Sequence, residues 1–122
     1  MNSFEALNLS PGHAICYSGF REGQQPGGIS PTYDEVKEDL LLLKEHWKYL
    51  RLYDCDDHAE TVLQVIQQEK LPLKVMLGAY IVAEMNNFGC PWGGGVYTEA
   101  ELAKNHIKNH NQIKKLIDFA NQ

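Results

Sequence analysis

Residues 49–77, YLRLYDCDDHAETVLQVIQQEKLPLKVML, decide the fold that the sequence predicts. Both ends of this stretch are apolar runs rich in residues that favour β-strands, which predicts strands over 49–54 and 73–80. The segment between them has apolar residues at helical spacing, and Pro72 cannot continue a helix, so we predict a helix over 58–71. A strand, a helix and a second strand in this order predict parallel strands joined by a right-handed crossover.

The same pattern extends in both directions along the chain. A strand over 14–18 and a helix over 31–47 are predicted before this stretch, and a helix over 99–121 is predicted after it. The predicted order is therefore βαβαβα, preceded by a flexible lead over 1–12. Large side chains at successive positions of each strand predict burial on both faces of the sheet.

The predicted helices begin at sequences typical of a capping box, in which a side-chain oxygen accepts an amide hydrogen and a glutamate three residues later bonds back. These sequences are Thr32-x-x-Glu35, Asp57-x-x-Glu60 and Thr98-x-x-Glu101. Apolar stripes predict the buried helix faces. The stripes are Val36, Leu40, Leu43 and Trp47 in the first helix, Val62, Leu63 and Ile66 in the second, and Leu102, Ile113, Leu116, Ile117 and Ala120, around a polar middle, in the third.

The connections that follow the strands are long and rich in glycine, at 19–29 and 83–97, whereas those after the first two helices are short. This asymmetry is typical of a barrel whose strand-to-helix loops build a site at the carboxyl ends of the strands. A complete barrel takes about 250 residues and eight such units. We therefore predict an α/β fold in which these 122 residues form the first three βα units of an incomplete (β/α)8 TIM barrel.

Composition narrows the classes of partner. Eleven basic and sixteen acidic residues give a net charge of -5, which disfavours binding to nucleic acid. The amino terminus has no basic and apolar segments of a signal peptide, and no apolar run approaches the about 18 residues of a membrane span. We therefore expect a cytoplasmic protein without a membrane partner, and the three widely spaced cysteines fit a reducing compartment.

Four blocks of sequence carry a resemblance to a known family. They are Ile15-Cys16-Tyr17-Ser18-Gly19, Arg51-Leu52-Tyr53-Asp54, Val75-Met76-Leu77-Gly78-Ala79-Tyr80 and Gly89-Cys90-Pro91-Trp92-Gly93-Gly94-Gly95-Val96-Tyr97. Together they resemble glycoside hydrolase family seventeen, the β-1,3-glucanase family, in a bacterial branch like the exo-β-1,3-glucanases. The first three blocks correspond to successive barrel strands, and the resemblance extends from Gly12 to Gln122.

The resemblance implies a retaining barrel enzyme that acts on β-1,3-glucan or its oligosaccharides. In that family the acid/base glutamate follows the fourth strand in a Gly-Asn-Glu motif, and the nucleophilic glutamate comes from the second half of the barrel. Neither position occurs in this sequence, so we expect no catalytic residue here. The expected role is an amino-terminal part that contributes residues to sugar subsites.

Aromatic residues at strand ends are the first candidates for such subsites. Tyr17 and Tyr53 are predicted at the carboxyl ends of adjacent strands, where a phenol can pack on a pyranose ring and offer one hydrogen bond. They could equally be aromatic residues of the barrel core. Arg51 shares a strand face with Tyr53 and is assigned to substrate binding, with a structural role as an equal alternative. A charge inside a barrel requires a partner, for which a carboxylate is the natural choice.

Two further candidates lie in the strand-to-helix loops. Trp92 is placed to stack on a sugar at an outer subsite, with pinning of its own loop as the alternative. Asp54 lies at the carboxyl end of the second predicted strand, where the loop begins, and is assigned to substrate binding. From the residues alone, Asp54 and Glu84 would be the candidate pair of carboxylates, and Glu22 lies in a comparable loop, but the resemblance assigns the catalytic acids elsewhere.

No metal or cofactor is expected. The cluster Asp54-Cys55-Asp56-Asp57-His58 is not a calcium loop, because Ala59 and Val65 stand where glycine and glutamate belong, and it has too few ligands for zinc unless Cys16 or Cys90 joins. Neither phosphate-binding glycine motif is present. His106 and His110 lie one turn apart without the glutamate of a zinc-binding helix, which favours a hydrated face.

Three alternatives remain open at this stage. The chain could belong to a β-glucan transglycosylase, which differs from a hydrolase in water access to the covalent intermediate. It could be a non-catalytic sugar-binding or assembly module. It could also be a small doubly wound domain that binds a nucleotide or a phosphorylated partner, which requires the first strand in the centre of the sheet. Exposed strand edges and an uncovered inner face would favour self-association.

Overall fold

The computed structural model of the chain describes residues 8–86, 88 and 96–122. Its elements are strand β1 (Ala14–Cys16), helix α1 (Tyr33–Leu43), strand β2 (Tyr49–Arg51), helix α2 (Asp57–Gln68), strand β3 (Lys74–Met76) and helix α3 (Glu99–Ala120). They form two compact units, Met1–Gly78 and Ala79–Gln122. The first unit contains the sheet with α1 and α2, and the second contains α3.

The three strands described in the first unit pair in parallel in the order β1-β2-β3. Ile15, Leu50 and Val75 are in register across the sheet. The strand in the centre is therefore β2, whereas the doubly wound alternative requires the first strand there. The two helices of this unit pack against each other.

Regular strand pairing is shorter than the predicted spans of 14–18, 49–54 and 73–80. Hydrogen bonds continue beyond it, from the Tyr17 amide to the Arg51 carbonyl and from the Leu52 amide to the Met76 carbonyl, both at 3.0 Å. Beyond the paired residues, the predicted spans therefore continue as extended chain that keeps only some of the hydrogen bonds of the sheet.

The prediction that the strands are buried on both faces is wrong. Leu50 and Leu52 are buried, whereas Arg51 between them is exposed, and Met76 in the neighbouring strand is 66% exposed. Because side chains of a strand alternate between the two faces, one face of the sheet enters the core and the other is open. An apolar run of three to five residues does not distinguish these two cases.

Helix α1 begins at Tyr33, two residues after the predicted 31, and both hydrogen bonds of the predicted Thr32–Glu35 capping box are present. Val36 and Leu40 are fully buried and form its core face. The helix ends at Leu43, so the prediction that it extends to 47 is wrong. Trp47 lies beyond the helix, is half-buried, and meets the His13 ring edge-on at a centroid distance of 6.3 Å.

The start of α2 differs by one residue from the prediction. Asp56, not Asp57, is the N-cap, and its side chain accepts a hydrogen bond from the Ala59 amide at 2.9 Å. The helix ends at Gln68, before the predicted 71, and Lys70 then adopts a left-handed backbone conformation (φ 52°). Its buried residues are His58, Ala59, Val62 and Val65. The predicted Leu63 and Ile66 are only half-buried.

In the second unit, α3 begins at the predicted capping box of Thr98 and Glu101. Its polar middle contains a buried residue, Asn109, whose side chain binds both backbone groups of Val82, at 2.8 Å and 2.7 Å. Asn105 donates to the Ala83 carbonyl at 2.7 Å. The side-chain amides of Asn105 and Asn109 in α3 thus bind the backbone of Val82 and Ala83, near the start of this unit.

Replacing Leu40 tests the buried face of α1. Leu40 is fully buried, whereas Leu42 is 69% exposed. We expect Leu40→Ala to lower the free energy of unfolding by about 2–5 kcal/mol, because it leaves a cavity. The control Leu42→Ala should change it by less than about 0.5 kcal/mol. Urea denaturation measures both values, and equal losses would contradict the assigned face.

Replacing Asn109 tests the clamp in the second unit. We expect Asn109→Ala to lower the free energy of unfolding by about 1–3 kcal/mol, because it leaves the amide and carbonyl of Val82 without their partner. Amide hydrogen exchange at Val82 measures the loss directly. The exposed Asn111 provides the control, since Asn111→Ala keeps the helix and removes no such contact. An unchanged Val82 exchange rate in Asn109→Ala would refute the clamp.

Candidate functional site

The uncovered side of the sheet carries Arg51 and Tyr53, two of the residues predicted to bind sugar. Its exposed residues, here called the open face, are Ala14, Cys16, Arg51, Tyr53, Lys74 and Met76. Cys16, Arg51 and Met76 are in register and form one row across the three strands. The open face therefore carries two cations, a phenol, a thiol and a thioether.

Arg51 and Tyr53 lie together at the carboxyl end of the central strand. The guanidinium carbon of Arg51 is 5.1 Å from the centre of the Tyr53 ring, a cation–π contact. Tyr53 is 49% exposed. Among the ion pairs within the described residues, none involves Arg51. A guanidinium has five N–H donors, so beside its contact with the Cys16 thiol Arg51 keeps donors for a hydroxyl or carboxylate ligand.

Cys16 is the neighbour of these two residues on β1 and is not among the residues predicted to bind sugar. A hydrogen bond from the Tyr53 hydroxyl, and to a lesser extent the Arg51 guanidinium, lowers the pKa of the exposed Cys16 thiol. The same hydrogen bond raises the pKa of the Tyr53 phenol. The exposed position of Cys16 could have been predicted from the alternation of side chains along β1, which places Cys16 on the face opposite Ile15 and Tyr17.

Tyr17 does not lie on the open face, which corrects its predicted position beside Tyr53. It is buried on the helix side of the sheet, and its hydroxyl donates to Asp39 Oδ2 at 2.8 Å. Burial and the Asp39 carboxylate raise the pKa of Tyr17 far above its usual range. The core alternative for this tyrosine agrees with its position, and we exclude it from the candidate site.

The acidic cluster after β2 is engaged in local structure. Asp54 Oδ1 accepts from the Cys55 amide at 2.8 Å, and the Cys55 thiol donates to the Gly78 carbonyl at 3.1 Å. Asp56 caps α2, and His58 Nε2 accepts from the Gly19 amide at 3.1 Å. Within the described part of the chain, no three His, Cys, Asp or Glu side chains are grouped for a metal ion.

The remaining candidates divide between the two units. Asp54 is half-buried at the end of β2, and Glu22 is exposed in the loop after β1. Glu84 belongs to the second unit, where its Oε1 contacts Asn109 Nδ2 and the exposed His106, both at 3.1 Å. Trp92 lies outside the described residues.

A pocket in the second unit lies at the start of α3. It has a volume of about 260 Å³ and is lined by Tyr97, Glu101, Lys104 and Asn105. Glu101 belongs to the capping box, and Asn105 holds the Ala83 carbonyl. Two of the four lining side chains are therefore occupied with local structure.

Comparisons with known proteins supply no relative. No family model matches the chain, and neither curated protein sequences nor solved structures give a match. Within residues 8–86, 88 and 96–122, no helix is long and apolar enough to cross a membrane.

Thiol reactivity tests the geometry around Cys16. In a Cys90→Ser background, we expect iodoacetamide to modify the exposed Cys16 much faster than the buried Cys55 at neutral pH. Tyr53→Phe should slow the reaction at Cys16 by about threefold or more, because the phenol no longer stabilises the thiolate. Mass spectrometry of timed samples gives both rates. Tyr49→Phe is the control, since the Tyr49 hydroxyl donates to the Ser10 carbonyl. Equal effects of the two tyrosine changes would contradict the arrangement.

Proposed function

We propose that this chain is the amino-terminal part of the catalytic barrel of a retaining β-1,3-glucan hydrolase and that its open face contributes to a sugar subsite. The observation that carries the proposal is the placement of Arg51 and Tyr53, exposed and in contact, at the carboxyl end of the central parallel strand. That end of the strands is where barrel enzymes bind their substrates.

The strand arrangement supports this proposal over a doubly wound domain. In a barrel, each strand pairs in parallel with the next one along the chain, as β1, β2 and β3 do. Helices of a barrel cover only the outer face of the strands, while the inner face meets side chains of the other strands. A sheet with one face in the core and one open face agrees with this arrangement.

The chemistry of the open face suits a neutral sugar. The ring of Tyr53 offers an apolar face to a pyranose, and its hydroxyl offers a polar edge. Arg51 can donate hydrogen bonds to sugar hydroxyls or to a carboxylate of the intact site. Retaining hydrolysis needs two carboxyl groups about 5–5.5 Å apart, and we assign neither to this chain. Transfer of the glycosyl group to another sugar is the alternative outcome of the same covalent chemistry.

A second candidate, an assembly module, is favoured by the exposed apolar side chains. Met76 is 66% exposed on the open face. Exposed apolar side chains can pack against another protein, and unpaired strand edges can pair with a strand of a second chain. Within the described residues β1 and β3 are the edge strands, so self-association would use their outer edges. Sedimentation velocity distinguishes this candidate, since a concentration-independent monomer would count against it.

The coding sequence downstream of Gln122 gives the sharpest test of the proposal. We expect it to encode a Gly-Asn-Glu motif within about the next twenty residues, because a short connection and the fourth strand follow the third helix of a barrel. If the downstream sequence lacks this motif, the assignment to a glucanase barrel is overturned.

Sugar binding by the chain itself can be followed by NMR. We expect laminaripentaose to shift the resonances of Arg51 and Tyr53 weakly, and we expect no release of reducing sugar. Tyr53→Ala should weaken this binding by about tenfold, since it removes the apolar face. Leu42→Ala, on the exposed side of α1, should leave it unchanged, and cellopentaose tests the linkage. Shifts confined to other surfaces would contradict the subsite, and tight saturable binding would favour a dedicated binding module.

A further inference from the structure

His58 is a buried titratable side chain that the proposed sugar subsite does not use. It is 4% exposed, and its Nε2 accepts a hydrogen bond from the Gly19 amide at 3.1 Å. An imidazole nitrogen that accepts a hydrogen bond carries no proton, so the proton of neutral His58 is on Nδ1. Among the described residues, Nδ1 has no hydrogen-bond partner.

The surroundings of His58 favour its neutral form. The Tyr17 and Phe20 rings lie 5.4 Å and 4.9 Å from the imidazole, between centroids. Two carboxylates act on it, Asp56 from the start of α2 and Asp39 from α1. Burial outweighs their attraction and lowers the pKa of His58. Arg21 offsets the charge of Asp39, with contacts of 3.0 Å and 3.1 Å to its two oxygens.

The partner of His58, Gly19, begins the loop between β1 and α1. This loop runs close to the core, because a Cβ atom on Gly19 would overlap the Tyr17 hydroxyl and crowd Asp39. Farther along the loop, Arg21 is tied to α1 by Asp39 and by the Glu35 carbonyl, at 3.1 Å from Nη2. The loop is thus held at two points of different chemistry, one imidazole and one guanidinium.

We propose that His58 is a pH-sensitive latch for the start of the β1–α1 loop. Neutral His58 holds the Gly19 amide. Protonation places a hydrogen on Nε2, so that two donors face each other and the hydrogen bond is lost. The segment 18–20 then detaches from α2, while Arg21 keeps the rest of the loop on α1. This inference does not depend on the proposed sugar function.

The direction of the pH effect follows from the lowered pKa of folded His58. Above its ordinary unfolded value of about 6.5, the side chain is neutral in both states and imposes no penalty. As the pH falls below that value, the unfolded chain binds the proton first, so stability decreases. The decrease ends below the pKa of the folded state, where both states are protonated.

Amide exchange of Gly19, followed by NMR together with the His58 ring resonances, tests the latch. Between pH 7.5 and a pH at which His58 is protonated, we expect the protection factor of Gly19 to fall by about tenfold, the effect of one lost hydrogen bond. The Leu52 amide, which donates to the Met76 carbonyl, is the internal control and should keep its protection. Equal loss at both amides would mean global unfolding and would overturn a local latch.

Two variants of His58 test separately its role as a hydrogen-bond acceptor and the effect of its protonation. His58→Gln retains an acceptor near Nε2 but cannot titrate, so we expect Gly19 to stay protected at both pH values. His58→Phe retains a ring without an acceptor, so Gly19 should exchange fast at both. A pH-dependent Gly19 in His58→Gln would overturn the proposal, as would a neutral His58 with its proton on Nε2. If His58→Phe fails to fold, the wild-type chain and His58→Gln still decide the outcome.

Discussion

The alternation of side chains along the central strand β2 is the constraint on which the rest of the structure depends. Leu50 and Leu52 enter the core, and this commits Arg51 and Tyr53 to the opposite face. A slip of one residue would expose both leucines and bury an unpaired guanidinium, which is costly in a medium of low dielectric constant. The core, the parallel register and the composition of the open face therefore share one cause.

Much of the fold could be predicted from local sequence. The capping boxes at Thr32 and Thr98 depend on residues three positions apart, so the starts of α1 and α3 were readable. The order of strands and helices followed from changes in apolar periodicity, and parallel pairing followed from that order. The shared face of Arg51 and Tyr53 followed from alternation alone.

The errors arose where distant or nearly equivalent groups decide the outcome. Asp56 and Asp57 are adjacent carboxylates, and only the backbone conformation selects Asp56 as the N-cap of α2. Alternation places Tyr17 on the helix side of the sheet, but its partner there, Asp39, is 22 residues away, and no local pattern indicates that contact. Burial of Asn109 depends in the same way on backbone groups 27 residues away.

The contact between Arg21 and Asp39 has a consequence for how solution conditions act on the β1–α1 loop. Both side chains are partly accessible to solvent, so dissolved ions screen their attraction. The ring contact between Phe20 and His58, near the start of the loop, is insensitive to this screening. Added salt therefore loosens the contact of Arg21 with α1, whereas acid releases Gly19 from His58. One short segment is thereby responsive to two independent chemical variables.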